Sequence, residues 1–386
     1  MKKTLSILLA ILMLLLLLVA CSADTVADDK SNTGDNTNES AGTQERDRLA
    51  LTGVIYMPES ADCDCCEDWD DWDDWDDWDD WGSCDCCEDW DDWDDSLWTS
   101  RVEANVLSDD MRAFEAQHAV SAEQERYLAF SAFVLTNNAE SIRVFAIRSP
   151  DSTAVRLLRD FWSVEDRESA LTQLQQLSTA NGQSPTADDI YNTFVKNNHF
   201  EDIDGLFMYL TDYDISGLEN VYASSLRRAE RMEAEFEGFM RFFDEDEDDR
   251  EEVFELFVYL MMAERINNGL EAYKGARLLL INSFGYTEQE LLNLPGLSAW
   301  DYGRVGIIAR YGVQSGYLEE EEAWEYLKLA ADSATEIYSS WREYTAAHIL
   351  GRALAFGNPS HDFSDTLNFL LNHPESSFQT IDFKLS

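Results

Sequence analysis

A chain of 386 residues with 77 acidic and 28 basic side chains carries a formal net charge of -49. So strong a negative field excludes nucleic acid and anionic lipid headgroups as partners, and favours cations, cationic polymers and basic proteins. Hydrophobic residues at 45% supply a core for whatever part is globular, and the length suits two or three average domains, fewer where part of the chain is a tether.

The N-terminus reads as an address. MKK supplies a positive start, and LSILLAILMLLLLLVA is an apolar run too short and wrongly flanked for an ordinary membrane span. It ends in Leu18-Val19-Ala20-Cys21, which resembles the bacterial lipobox, where the cysteine thiol is acylated and residues 1–20 are removed. Acyl chains on Cys21, each contributing about 0.8 kcal/mol per buried CH₂, would hold the protein on the extracytoplasmic face of a membrane. The expected location is therefore the cell envelope, with the membrane itself as a partner through the lipid anchor.

Residues 21–62 are expected to be a flexible stalk: SADTVADDKSNTGDNTNESAGTQERDR is rich in Ser, Thr, Asn, Asp and Gly and nearly free of large apolar residues, so burial cannot offset its ordering entropy. The short apolar patch LALTGVIYMPES after it could form a strand or nothing at all. Residues 63–98 form a low-complexity Cys/Asp/Trp segment in which CDCCEDWDDWDD occurs twice. Six of the seven cysteines lie in its two boxes, Cys63, Cys65, Cys66 and Cys84, Cys86, Cys87. Two clusters of three thiols suit a soft cation such as Zn²⁺ or Cu(I), although the spacing is not that of a zinc ribbon. Outside the cytoplasm an even six can equally pair as disulfides between the boxes. Trp69, Trp72, Trp75, Trp78 and Trp81 recur at intervals of three, which lines one face of a polyproline-II helix but drifts by about 60° per step on an α-helix. The aspartates between them offer carboxylates to Ca²⁺ or to a cationic surface polymer, and an expanded repeat tolerated in a tether accounts for the same pattern.

From residue 102 to 386 the character changes to helical periodicity, with apolar positions spaced by three and four in ANVLSDDMRAFEAQHAV, STAVRLLRDFW, LENVYASSLRRAERMEAEFEGFMRFF and EEVFELFVYLMMAERI. Turn signals separate them: Asn181-Gly182, Ser184-Pro185, Ser216-Gly217, Asn268-Gly269, Pro295-Gly296 and Gly357-Asn358-Pro359. Runs of period two are scarce. The fold class expected is all-α, an irregular multi-helix domain of about ten helices without a cysteine. Asp244, Asp246, Asp248 and Glu255 stand at the first, third, fifth and twelfth positions of a calcium loop, but Asp249 replaces the glycine of its turn, and a solvated interhelix loop explains the run as well. No HExxH, Gly-rich phosphate loop or Ser-His-Asp order occurs, and the five histidines are scattered.

The densest signal is C-terminal. Ala299-Trp300-Asp301-x-x-Arg304, Ala309-Arg310, Gly316-Tyr317-x-Glu319, Ser340-Trp341 and Gly351-Arg352-Ala353, with Phe161-Trp162-Ser163-Val164 upstream, resemble the bacterial domain-of-unknown-function family 1266 over residues 150–358. The resemblance implies an α-helical domain; it brings no activity, substrate or catalytic residue.

Read directly, Asp301 and Arg304 sit three apart, a spacing that pairs side chains on one helix face. Arg310 and Arg352 are placed to join them, with Trp300 and Trp341 as apolar walls and Gly303, Gly306 and Gly351 permitting close helix approach. One reading is a polar clasp in which arginine forks tie backbone carbonyls together. The other is a cleft that binds a carboxylate or phosphate. An enzyme would further need a nucleophile or base, and none declares itself. Three functions follow: an interaction module for an envelope protein or surface polymer, a small-anion receptor or enzyme around Asp301, Arg304 and Arg352, or metal handling through the Cys/Asp/Trp segment.

Overall fold

The computed structural model describes residues 102, 105–197, 206, 210, 215–240, 250–357 and 363–384. The lipobox with Cys21, the stalk, the six cysteines of the repeat, and Asp244, Asp246 and Asp248 lie outside these residues. The regular secondary structure of the described residues is helical, with no strand among them, so the protein is all-α in class. None of their helices is long and apolar enough to cross a membrane.

The helices are, in chain order, α1 (Asp109–Gln117), α2 (Ala122–Ala129), α3 (Ala132–Asn137), α4 (Asp151–Trp162), α5 (Arg167–Ser178), α6 (Ser184–Ile190), α7 (Glu219–Arg231), α8 (Glu233–Met240), α9 (Arg250–Phe284), α10 (Glu288–Leu292), α11 (Ala299–Tyr302), α12 (Val305–Gln314), α13 (Glu320–Ile337), α14 (Trp341–Phe356), α15 (Ser364–Asn372) and α16 (Ser377–Thr380). A π-helical turn, Tyr191–Val195, continues α6. Pieces of one turn such as α10, α11 and α16 carry too few residues to show a period, which is why the sequence reveals only the longer segments.

The helices gather into two compact units of interleaved segments, one drawn from the described residues within 180–301 and 342–357, the other from those within 102–179, 302–341 and 363–384. In the second unit α12 is the central element. Every residue from Val305 to Gly312 is buried, so the helix is enclosed on all sides rather than amphipathic, and it packs on α3, α4, α5 and α13. Gly306 makes one of these approaches feasible: a Cβ there would fall 2.5 Å from Ser131 Cβ, and its N–H donates to Ser131 Oγ at 2.9 Å. Helix α13 lies against α2, α5 and α12, while α15 and α16 close on α3 and α2. Local caps define several starts: Ser121 with Gln124 before α2, Asp166 with Ser169 before α5, and Glu319 with Glu322 before α13. Arg167 forks onto Glu322 at 2.6 Å from Nη1, tying α5 to the first turn of α13.

The first unit is organised by α9, which at 35 residues is about 52 Å long. It packs on α6, α7 and α8, and its N-terminal half joins Phe236, Phe239 and Phe257 in an aromatic cluster. The sequence signals a turn at Asn268-Gly269, but α9 runs straight through it. A Cβ at position 269 would lie 2.8 Å from the Leu354 carbonyl oxygen, so the glycine serves the approach of α14 rather than a chain reversal. Ser184-Pro185, also a turn signal, opens α6, where a proline in the first turn loses no intrahelical bond.

Candidate functional site

The residues singled out by the C-terminal motif divide between the units: Trp300, Asp301 and Arg352 belong to the first, Arg304, Arg310 and Trp341 to the second. Helix α11 ends at Tyr302 and α12 begins at Val305, so Gly303 and Arg304 lie in the turn between two helices.

Asp301 is completely buried, and its carboxylate faces the start of α6. Oδ2 accepts N–H bonds from Gly182 at 2.9 Å and Ser184 at 3.1 Å, and Oδ1 accepts one from Gln183 at 3.0 Å. Helix α6 has no cap from its own sequence, since Gln183 at the N-cap makes no side-chain capping bond. Asp301 satisfies orphan donors of that first turn and sets a negative charge against the positive end of the helix dipole. Trp300 adds a second clip, its indole N–H donating to Gln183 Oε1 at 3.0 Å while the ring packs edge-on against His348 and Phe356. His348 in turn contacts the Ala299 carbonyl through Nδ1 at 3.0 Å.

The device repeats one helix further. Leu218 cannot cap α7, and Asp189, from within α6, accepts the backbone N–H of Asn220 at 2.7 Å and of Val221 at 3.3 Å. Its neighbour Asp188 accepts the Leu297 N–H at 2.8 Å. Burial pushes the Asp188 carboxyl up to about 6, against the opposing pull of the Leu297 N–H and Lys196. Three carboxylates thus hold three backbone segments of one unit. Arg352 is buried on α14, and Gly351 beside it lets Trp300 Cβ and the Leu297 carbonyl approach to within 2.9 Å of where a Cβ would stand.

Arg310, 1% exposed, is spent on the irregular segment between α3 and α4. Nε donates to the Phe145 carbonyl at 2.8 Å, Nη1 to Ser141 at 2.9 Å and Nη2 to Ala146 at 2.6 Å. Glu140, equally buried, stands 3.9 Å from Nη2 and folds the far end of the segment by accepting the Arg148 N–H and the Ser149 hydroxyl. Burial lowers the Arg310 pKa, but from so high a starting value that the guanidinium stays charged. Trp341 anchors the C-terminal segment: its N–H donates to the Ile381 carbonyl at 2.7 Å, Phe378 stacks on its ring at 4.4 Å, and Phe383 and Phe130 pack around it.

Arg304 behaves differently. Although only 4% exposed, its guanidinium lies 5.6 Å from the ring centroid of Trp162, the last residue of α4. Trp162 is half-buried and reaches the surface, where it lines a shallow depression of about 540 Å³ together with polar side chains of α5.

Among the described residues no group of three His, Cys, Asp or Glu side chains is arranged to hold a metal. Glu255, the twelfth position of the acidic run, sits within α9 and accepts a hydrogen bond from Tyr259 at 3.2 Å.

An all-helical domain with this motif order defines a class, and comparison with known families agrees. The chain belongs to the family described as "Protein of unknown function (DUF1266)", whose family model matches residues 157–383. The match extends past the Gly351-Arg352 motif to include Phe378 and Phe383, the shell of Trp341. The chain is also similar to two proteins of Escherichia coli (strain K12), uncharacterized protein YbeR and uncharacterized protein YbeU, at 40% identity over 57 residues in each case. That stretch is 15% of this chain, and the chain spans only about a quarter, 24%, of the length of either relative. No solved structure matches the chain.

Proposed function

We propose that the protein is a lipid-anchored envelope protein whose helical domain is a binding module on the extracytoplasmic face of a bacterial membrane. The observation that carries the module reading is the use made of the motif's polar groups. Asp301 has both carboxylate oxygens on the backbone N–H groups of 182–184, and Arg310 has its fork on three backbone carbonyls. Groups so engaged stabilise the scaffold and leave ligand contact to the surface. The anchor rests on Leu18-Val19-Ala20-Cys21 at the end of the apolar run and on the polar, apolar-poor residues 22–48 that follow it.

Two measurements test the two halves. Cells fed labelled palmitate should yield labelled protein that fractionates with membrane, and Cys21→Ser should lose the label and leave that fraction; an unlabelled wild type refutes the anchor. The unlipidated Cys21→Ser protein should co-sediment with delipidated cell-envelope fragments. Absence of co-sedimentation refutes the module. The small-anion alternative is distinguished by Arg304→Ala, which on the scaffold reading lowers melting temperature without altering affinity for inorganic phosphate.

A further inference from the structure

At the depression beside Trp162 a residue of the family motif reaches the surface among side chains that make no hydrogen bond to another described residue. Its floor and walls are made by Trp162 and Ser163 at the end of α4 and by Glu168, Thr172, Gln173 and Gln176 of α5. Residues 168, 172 and 176 are spaced by four and so form one row along α5, with Gln173 beside it; Ala170, Leu174 and Leu177 bury the opposite face. Asp166 and Ser169 at the rim are taken up by the capping box of α5. Thr172, Gln173 and Gln176 have no side-chain hydrogen bond to any described residue and are exposed or half-buried.

Trp162 is backed from inside the domain. Helix α4 ends directly after it, with Ser163 in the left-handed region at φ 52° and the Val164 N–H returning to the Leu158 carbonyl at 3.0 Å. The buried Arg304 guanidinium lies against the ring, a contact in which the indole offers its electron-rich face. An aromatic surface backed from within, flanked by amides and hydroxyls that both donate and accept, is matched by a ligand with one apolar face and a fringe of hydroxyls. The absence of any cation among the lining residues, Glu168 among them, and a net charge of -49 set against anionic ligands. The site is shallow and open, which fits a chain crossing the surface.

We propose that this depression is a glycan-binding site that takes a neutral pyranose oligosaccharide, with one sugar ring on Trp162 and its hydroxyls bonded by Glu168, Thr172, Gln173 and Gln176. The proposal deepens the binding-module reading by naming the ligand class and the surface. It gives the Phe161-Trp162-Ser163-Val164 motif a purpose that packing alone does not require, since Phe161 is 41% exposed and Trp162 is only half-buried.

The experiment is isothermal titration of the detergent-solubilised full chain with two neutral probes, the β-linked N-acetylglucosamine tetramer and cellotetraose. At least one should bind. Trp162→Ala should weaken binding about tenfold or more, the loss expected for an aromatic contact with its buried area, and Trp162→Phe should keep most of it. Because Trp162→Ala also removes packing on Arg304, the surface pair Gln173→Ala with Gln176→Ala provides a second arm. It should weaken binding about threefold or more with an unchanged melting temperature. The proposal is overturned if neither probe binds at millimolar concentration, or if binding is indifferent to both variants. Co-sedimentation of Trp162→Ala with envelope fragments, with no sugar binding by wild type, refutes the glycan site while the module reading stands. Cleavage of a probe during the titration, seen by chromatography, refutes a pure binding module instead.

Discussion

Removing the Arg310 side chain is the sharpest perturbation the structure offers. Arg310→Ala deletes three buried hydrogen bonds to carbonyl oxygens of residues 141, 145 and 146, and takes the counter-charge from Glu140 at 3.9 Å. Each carbonyl left without a partner costs about 1–3 kcal/mol where water cannot reach it, and breaking a buried charge pair from one side costs about 3–5 kcal/mol. These overlap, because some carbonyls will hydrate once the side chain is gone, so the net loss expected is about 3–5 kcal/mol. For a domain of this size that lowers the melting temperature by roughly 6–20 °C, read by far-ultraviolet circular dichroism. Arg310→Lys should recover only a minor part, since one ammonium cannot reproduce a fork aimed at three carbonyls. Glu140→Gln combined with Arg310→Met should cost less than the two single losses added together, because neither leaves a lone buried charge. A melting temperature for Arg310→Ala within about 2 °C of wild type would refute the reasoning, since it would mean that the segment between α3 and α4 does not depend on the fork.

The remaining predictions concern packing and titration. Gly306→Ala forces a methyl into Ser131, 2.5 Å away, and should destabilise by about 1–3 kcal/mol in urea unfolding; pairing it with Ser131→Gly should recover part of the loss. Asp188, with its folded pKa raised from 3.8 to about 6 by burial, binds a proton more tightly in the folded than in the unfolded chain. Its contribution to stability therefore falls as pH rises through that window and remains reduced above it. Asp188→Asn should gain on wild type between pH 4 and pH 7, and parallel stability profiles for the two proteins would contradict the assignment.

How much of this was legible in the sequence varies by element. The class was readable because α4, α7 and α13 each bury one face with apolar residues spaced by three and four. Helix α12 was marked by its motif residues, but its full enclosure was not, because a helix buried on every side loses the periodicity that identifies it. Asn268-Gly269 misled for a physical reason: glycine signals a turn and a close approach alike, and only the position of Leu354 decides. Asp301 and Arg310 stood out as members of a patterned stretch, the arginine being a rare residue type in so acidic a chain, yet their partners lie more than a hundred residues away and are backbone atoms, which leave no residue type to recognise. One signal was present. Residues 181–184 begin a helix whose N-cap position, Gln183, offers no local cap, so a carboxylate from elsewhere was needed. Trp162 over Arg304 left no such trace, because cation and ring are joined only by the packing of α4 beneath the start of α12.

The central claim is that the motif's charged residues are committed to the scaffold, and Asp301 tests it most directly. Amide hydrogen exchange of the full chain should show slow exchange at Gly182, Gln183 and Ser184, whose N–H groups the Asp301 carboxylate accepts. In Asp301→Asn these three amides should exchange at least about tenfold faster, because a neutral amide cannot replace both carboxylate acceptors, while α13 keeps its protection. Equal exchange rates at 182–184 in the two proteins would contradict the account.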